Sequence, residues 1–299
     1  MNGPRAFFPV SAQGGDLIVV PARFGSTRLP GKPLLEIAGR TLLERVLANA
    51  TAAAGLAGDC RVVVATDDAR IAAHARDLGA QVAMTAPELN SGSARAAAAA
   101  RLQDAPPARV INLQGDAPFI PPATIAGLIA TLREGTADVA TPVYRLDWER
   151  LDRLRAHKET APFSGTTCVR DAKGQALWFS KSILPALRDE DALRAASPLS
   201  PVWQHLGLYA YTQRALDWFA QAPQGTYEKL EGLEQLRFLE NGWTIATCEV
   251  DPPRHALSGV DTPQDMALAE DAIARLGDPF PAQPQSGPQS GPVSEPARS

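Results

Sequence analysis

Three cations stand within ten residues in the stretch 17–34, LIVVPARFGSTRLPGKPL: Arg23, Arg28 and Lys32, with Gly25 and Gly31 between them. Residues 17–20 are apolar, so the charge follows directly on a buried strand. Cations beside glycines suit an anion, because glycine lets backbone N–H groups come close to phosphate oxygens. The spacing is not that of a P-loop: five residues separate the two glycines, and Pro33 occupies the place of the magnesium-binding Ser or Thr. A phosphate cradle and a solvated basic turn both remain open for this segment. Two carboxylates add to the inventory. Asp116 in INLQGDAP (111–118) follows an apolar run, and Asp261 in SGVDTPQD (258–265) precedes a helical pattern. Either is a Mg²⁺ ligand or simply a turn or helix-cap residue.

The elements that must position these groups are legible in the first half. Apolar runs at 16–20, 61–66, 81–85 and 109–115 alternate with helical patterns at 41–55, 68–79 and 121–134. Thr41 and Glu44 have the spacing of a capping box, and Gly79 closes the second helix. Such alternation with unbroken apolar strands predicts an α/β fold, a mostly parallel central sheet with helices on both faces. Ligands of such sheets sit at strand carboxyl ends, which directs attention to loops 21–33, 66–68 and 114–118. In the second half, strands are expected within 176–185, 205–212 and 244–250. An amphipathic helix is expected over 227–242, burying Leu230, Leu233, Leu236 and Leu239 and stopping at Gly242. Residues 1–15 read as a flexible extension. Residues 276–299, rich in Pro, Gln, Ser and Gly, read as a disordered tail, leaving 16–275 as the folded domain.

Composition narrows the function. Of 299 residues 45% are hydrophobic and 21% charged, with net charge −4, which excludes a general electrostatic nucleic-acid binder. The three cysteines are widely separated and form no C-x-x-C, which excludes a disulfide framework and a zinc site and fits a reducing cytoplasm. No apolar stretch is long enough to span a bilayer, so a cytoplasmic protein without membrane association is expected.

The segments VVPARFGSTRLPGKPL, VVVATDD, NSGSAR, NLQGDAP, ALWFSKSILP, QHLGLYAY, LEGLEQLRFLENG and SGVDTPQDM occur in this order across residues 16–275. Together they resemble the 3-deoxy-D-manno-octulosonate (Kdo) cytidylyltransferases, sugar-nucleotidyltransferases of the GT-A/Rossmann-like fold. The resemblance implies CMP transfer from CTP to the anomeric hydroxyl of Kdo for cell-envelope polysaccharide, with Mg²⁺ as cofactor and a homodimeric assembly. It implies that Pro21, Ala22, Arg23, Ser26 and Lys32 hold the triphosphate, and that Asn90, Ser91 and Arg95 read cytosine and ribose. Asp116 and Asp261 are then the metal carboxylates, catalytic together with Arg23 and Lys32. Gln114, Lys181, His205, Tyr209, Glu234 and Gln235 are the sugar contacts. The chain departs from the family where Ser93-Ala94-Arg95 replaces Thr-Glu-Arg, where Ala117 follows Asp116, and where Lys181 replaces a common Arg. These departures keep a modified Kdo or a sialic acid open as substrate, and a non-catalytic nucleotide-binding relative as the reading from another class.

Overall fold

The computed structural model describes residues 14–25, 29–89, 91–255 and 259–280. Ser26, Arg28, Asn90, the first thirteen residues and the chain beyond 280 lie outside the described residues.

Strand β1 (Asp16–Pro21) shows why residues 17–20 carry no polar alternation. Ile18 and Val20 enter one core cluster and Leu17 and Val19 another, all four fully buried. A strand covered on both faces needs apolar side chains on both. Next come a short hairpin of β2 (Glu36–Ile37) and β3 (Arg40–Thr41), helix α1 (Leu42–Ala57), β4 (Cys60–Thr66), α2 (Ala69–Asp77) and β5 (Gln81–Met84). They are followed by α3 (Gly92–Arg101), β6 (Arg109–Asn112) and α4 (Pro122–Glu134). The order β5-β4-β1-β6 is parallel throughout. Helices α1 and α4 cover one face through Leu43, Val46, Ile125 and Leu128. The alanines of α3 cover the other, where short side chains let the helix lie close to β1. Thr41 caps α1 by accepting from the Glu44 N–H at 3.1 Å, while the Glu44 carboxylate turns to Arg40 instead of completing the box.

The second half contributes β7 (Val139–Asp147), α5 (Trp148–Thr160), β8 (Thr167–Arg170), β9 (Ala176–Ser180), α6 (Glu190–Ala196), β10 (Leu199–His205) and β11 (Tyr209–Thr212). Then follow α7 (Gln213–Phe219), α8 (Thr226–Glu231), α9 (Leu236–Glu240), β12 (Ile245–Glu249) and α10 (Pro263–Leu276). Strand β11 inserts antiparallel between β6 and β7, and β10, β8 and β9 extend the sheet antiparallel from β7. The sheet is therefore mixed: parallel across the first half, antiparallel along this path in the second, with β12 added parallel to β7. The single helix expected over 227–242 is two short helices. Gly232 takes φ 64° between them, Leu233 and Leu236 stay buried, and Leu230 is 72% exposed. Residues 277–280, assigned by composition to the tail, lie against the domain: buried Arg45 pairs with Asp278 at 2.8 Å, and Arg40 lies over the Phe280 ring.

Candidate active site

The loop after β1, the loop after β6 and the segment before α10 meet at a cleft of about 200 Å³. Pro21, Ala22 and Arg23 come from the first, Gln114, Gly115 and Asp116 from the second, and Asp261 from the third. Their convergence has local causes. A Cβ on Gly115 would stand 2.4 Å from the Pro21 carbonyl oxygen, so only glycine lets these two loops touch. The Val260 N–H donates to the Asp116 carbonyl at 2.8 Å, and Val260 is buried with Ile37, Leu42, Phe119 and Ala269. That anchor fixes Asp261 beside Asp116. The cap of α10 is Thr262, whose hydroxyl accepts from the Asp265 N–H at 3.2 Å, so the capping alternative for Asp261 falls away.

Gly31, in the left-handed region at φ 69°, turns the opening loop into a short 3-10 turn at Lys32–Leu34 pinned by buried Pro33. Lys32 then donates to Asp116 Oδ2 at 2.7 Å and to Asp261 Oδ1 at 2.9 Å. One ammonium thus stands between both sequence-predicted metal carboxylates. Arg23 is exposed at the cleft mouth and makes no hydrogen bond or ion pair among the described residues. Phe24 beside it lies under the Arg70 guanidinium, 3.5 Å from its centre, which ties the loop to α2.

Ser91 caps α3, accepting from the Ala94 N–H at 3.1 Å, and with Gly92 it brings the helix start to the cleft wall. Open N–H groups and the dipole make such an end favourable to anions. Arg95 also borders the cleft, but its buried guanidinium donates to Thr85 Oγ1 at 2.5 Å and the Leu89 carbonyl at 3.2 Å. It binds the 85–89 turn to α3. Gln114 belongs to this cleft too, against Gly92, where a Cβ would come within 2.8 Å of its amide oxygen.

Lys181, His205, Tyr209, Glu234 and Gln235 lie far apart in sequence and line one second cavity of about 540 Å³. Lys181 follows β9 and donates to Thr166 Oγ1 at 3.1 Å. His205 ends β10 and shares a 2.8 Å hydrogen bond with Thr141 Oγ1. Burial, reinforced by nearby Lys181, pushes its imidazole down to about 3, so the ring is neutral at physiological pH. Burial likewise raises the Tyr209 phenol well above its ordinary value and keeps it a neutral hydroxyl. Glu234 and Gln235 come from the break between α8 and α9, which a continuous helix would not place here. Ser93 Oγ donates to Glu234 Oε2 at 3.0 Å. Because Gly92 lines the first cleft, the first turn of α3 borders that cleft and, through Ser93, braces Glu234 of the second cavity.

The chain matches the family model described as cytidylyltransferase over residues 17–245. A 3-deoxy-manno-octulosonate cytidylyltransferase of Maricaulis maris (strain MCS10) is 41% identical over 88% of this chain and 98% of its own length. One from Xanthomonas campestris pv. campestris (strain 8004) is 42% identical over 86% of this chain and 99% of its own length. The chain belongs to the 3-deoxy-manno-octulosonate cytidylyltransferase family. Among solved structures, a CMP:2-keto-3-deoxy-manno-octonic acid synthetase complexed with CTP superposes with TM-score 0.73 at 33% identity, over 88% of this chain and 99% of that one.

In this cytidylyltransferase several supporting residues gave no sequence signal. The Glu231 carboxylate accepts from Ser180 Oγ and the Lys181 N–H, each at 2.8 Å, and so fixes the end of β9. Lys158 donates to the carbonyls of Ser164, Gly165 and Lys181, and burial followed by repulsion from Lys181 lowers its pKa. Both look like ordinary helix-surface charges in sequence. Thr141 and Thr166 read as plain strand residues. Only the α3 motif offered a hint, since Ser93 lies inside NSGSAR.

Proposed function

We propose that this cytidylyltransferase transfers CMP from CTP to the anomeric hydroxyl of 3-deoxy-D-manno-octulosonate. The hydroxyl oxygen bonds to the α-phosphorus, the bond to the β-phosphate breaks, pyrophosphate leaves, and the hydroxyl proton passes to solvent. The observation that carries this reading is the adjacency of two unlike sites. The first turn of α3 borders a cation-and-carboxylate cleft through Gly92 and is tied through Ser93 to Glu234 of a polar cavity. That turn links the cleft suited to a nucleotide with the cavity suited to a polyhydroxy acid.

Both reactants are anionic, so phosphoryl transfer here is chiefly positioning and charge neutralisation. Arg23 and Lys32 offset charge on the triphosphate, and the start of α3 adds N–H donors. In the second cavity Lys181 attracts the sugar carboxylate as a point charge, while the neutral His205 and Tyr209, together with Glu234 and Gln235, orient hydroxyls. Among the described residues no group of three His, Cys, Asp or Glu side chains forms a closed metal cage. The paired oxygens of Asp116 and Asp261 on one cation fit Mg²⁺, which takes one or two carboxylates and completes its shell with phosphates and water. When bound, Mg²⁺ lowers the pKa of an attacking hydroxyl and shares phosphate charge. Pyrophosphate release should require CTP and a Kdo-type acid together. Equal release with water as sole acceptor would return the protein to nucleotide hydrolysis or binding.

We further propose a homodimer working in the cytoplasm. Supporting the dimer, Phe163 (74% exposed), Leu230 (72%) and Tyr227 (48%) border one shallow hollow with Ile183 in the second half. An apolar cluster of that kind on an enzyme surface marks an association site. Supporting a reducing compartment, all three cysteines are free thiols, with burial raising Cys60 to about 11 and Cys168 to about 12.

A further inference from the structure

We propose that Lys32 is a placeholder cation: it occupies the divalent-ion position between Asp116 and Asp261 and keeps that ion weakly bound until an anionic ligand draws the ammonium away. The inference rests on the reading of these two aspartates as metal carboxylates. Its basis is the double contact of Nζ, 2.7 Å to Asp116 and 2.9 Å to Asp261, from a side chain only 12% exposed.

The charge count explains the consequence. Two carboxylates alone carry −2 and match a divalent ion. The ammonium between them offsets one of those charges, and an arriving ion meets a like charge within a few ångströms. The ammonium also occupies the space and the oxygen lone pairs that an ion needs. Yet without it two carboxylates held side by side would repel each other, and Val260 and Gly115 lock their loops so that neither can retreat. An internal cation therefore stabilises the site in the absence of ligand.

The arrangement is also built to be released. The backbone of Lys32 is fixed by the left-handed Gly31 and by buried Pro33, but its four-carbon stem is flexible and its head is a point charge without a planar fork. Arg23, the start of α3 and Lys32 line the same cleft, so a bound polyphosphate competes with the aspartates for the ammonium. As the ammonium swings to phosphate, the carboxylate pair loses that offsetting charge. Nucleotide and metal would then bind in a coupled fashion, through one side chain serving each partner in turn.

The experiment is Mn²⁺ binding to the nucleotide-free protein, followed by the loss of the free-ion electron paramagnetic resonance signal. Wild type should bind Mn²⁺ weakly, and Lys32→Met should bind it about tenfold or more tightly, the scale of removing a like charge near the ion. Lys32→Arg, which keeps the charge, should stay as weak as wild type. The double variant Lys32→Met/Asp116→Asn should lose the gain, which locates the new affinity at the carboxylates. Tight binding by wild type that Asp116→Asn abolishes would overturn the placeholder role while leaving the metal carboxylates in place. A Lys32→Met protein that is folded by circular dichroism and binds Mn²⁺ no better than wild type would overturn it equally. Failure of CTP turnover with every acceptor would instead count against the proposed reaction, which this measurement does not use.

Discussion

Lys32, its ammonium held between Asp116 and Asp261 and its side chain mostly buried, lies in the cleft proposed to take the triphosphate. Lys32→Ala should lower kcat/KM for CTP by roughly 30- to 1000-fold, about 2–4 kcal/mol, the scale of one lost transition-state donor. A change under about threefold would mark the loop as a solvated basic turn. His205 supports a prediction in pH. Its imidazole lies near 3 in the folded chain against 6.5 when unperturbed. Above 6.5 the ring is neutral in both folded and unfolded states and contributes no pH dependence. As pH falls from 6.5 toward 3 only the unfolded chain takes up the proton, so folding stability declines through that window. His205→Gln should flatten this part of the stability curve in chemical denaturation, and an unchanged acid limb would contradict the buried neutral ring. At this scale Lys32 and Asp116 could be singled out because glycine and charge follow an apolar strand, whereas Asp261, which no strand directly precedes, stood out through the family resemblance. Thr141, Thr166 and Glu231 were not, because their partners come from strands and helices distant in sequence.

Elements explain why the residues meet. Gly115 permits the β6 loop to touch the end of β1, and a methyl group there would sit 2.4 Å from the Pro21 carbonyl. Gly115→Ala should cost about 1–3 kcal/mol in stability, the range of overpacking, and should displace Asp116 enough to weaken turnover. A wild-type melting midpoint with wild-type activity would show that the contact relaxes freely. The first turn of α3 carries a second test, because Ser93 steadies Glu234 from outside the cavity proposed to take the sugar. Ser93→Ala should raise KM for the sugar several-fold, in line with one hydrogen bond to a charged group, while CTP binding by calorimetry stays nearly unchanged. Equal losses for both substrates would mean that Ser93 merely supports the helix. The parallel half of the sheet was readable since both-face burial forces unbroken apolar runs at regular intervals. The antiparallel half was less so, because β7, β10 and β11 pair through partners whose order the local pattern does not encode. The 227–242 segment misleads for a related reason: its leucines keep helical spacing across Gly232, where the chain turns and delivers Glu234 and Gln235 to the cavity.

For the whole molecule, the sheet serves as a platform with a charged cleft on its parallel half, a polar cavity toward its antiparallel half and α3 between them. The family resemblance pointed to the residues that line both cavities, whereas the link between them through Ser93 and Glu234 depends on packing that no motif carries. If the exposed cluster around Phe163 and Leu230 joins two copies, Phe163→Asp with Leu230→Asp should shift the light-scattering mass from dimer toward monomer. A wild-type protein that is already monomeric at micromolar concentration would remove the dimer. The central claim, CMP transfer to a Kdo-type acid, is tested most directly by identifying the product by mass spectrometry. Incubations would pair each of CTP, UTP, ATP and GTP, with Mg²⁺, against Kdo and a sialic acid. The account predicts a CMP–Kdo adduct with stoichiometric pyrophosphate from CTP and Kdo, and at most traces from the other pairs. A nucleotide–sugar adduct that forms from sialic acid but not from Kdo, or none from any pair, would contradict it.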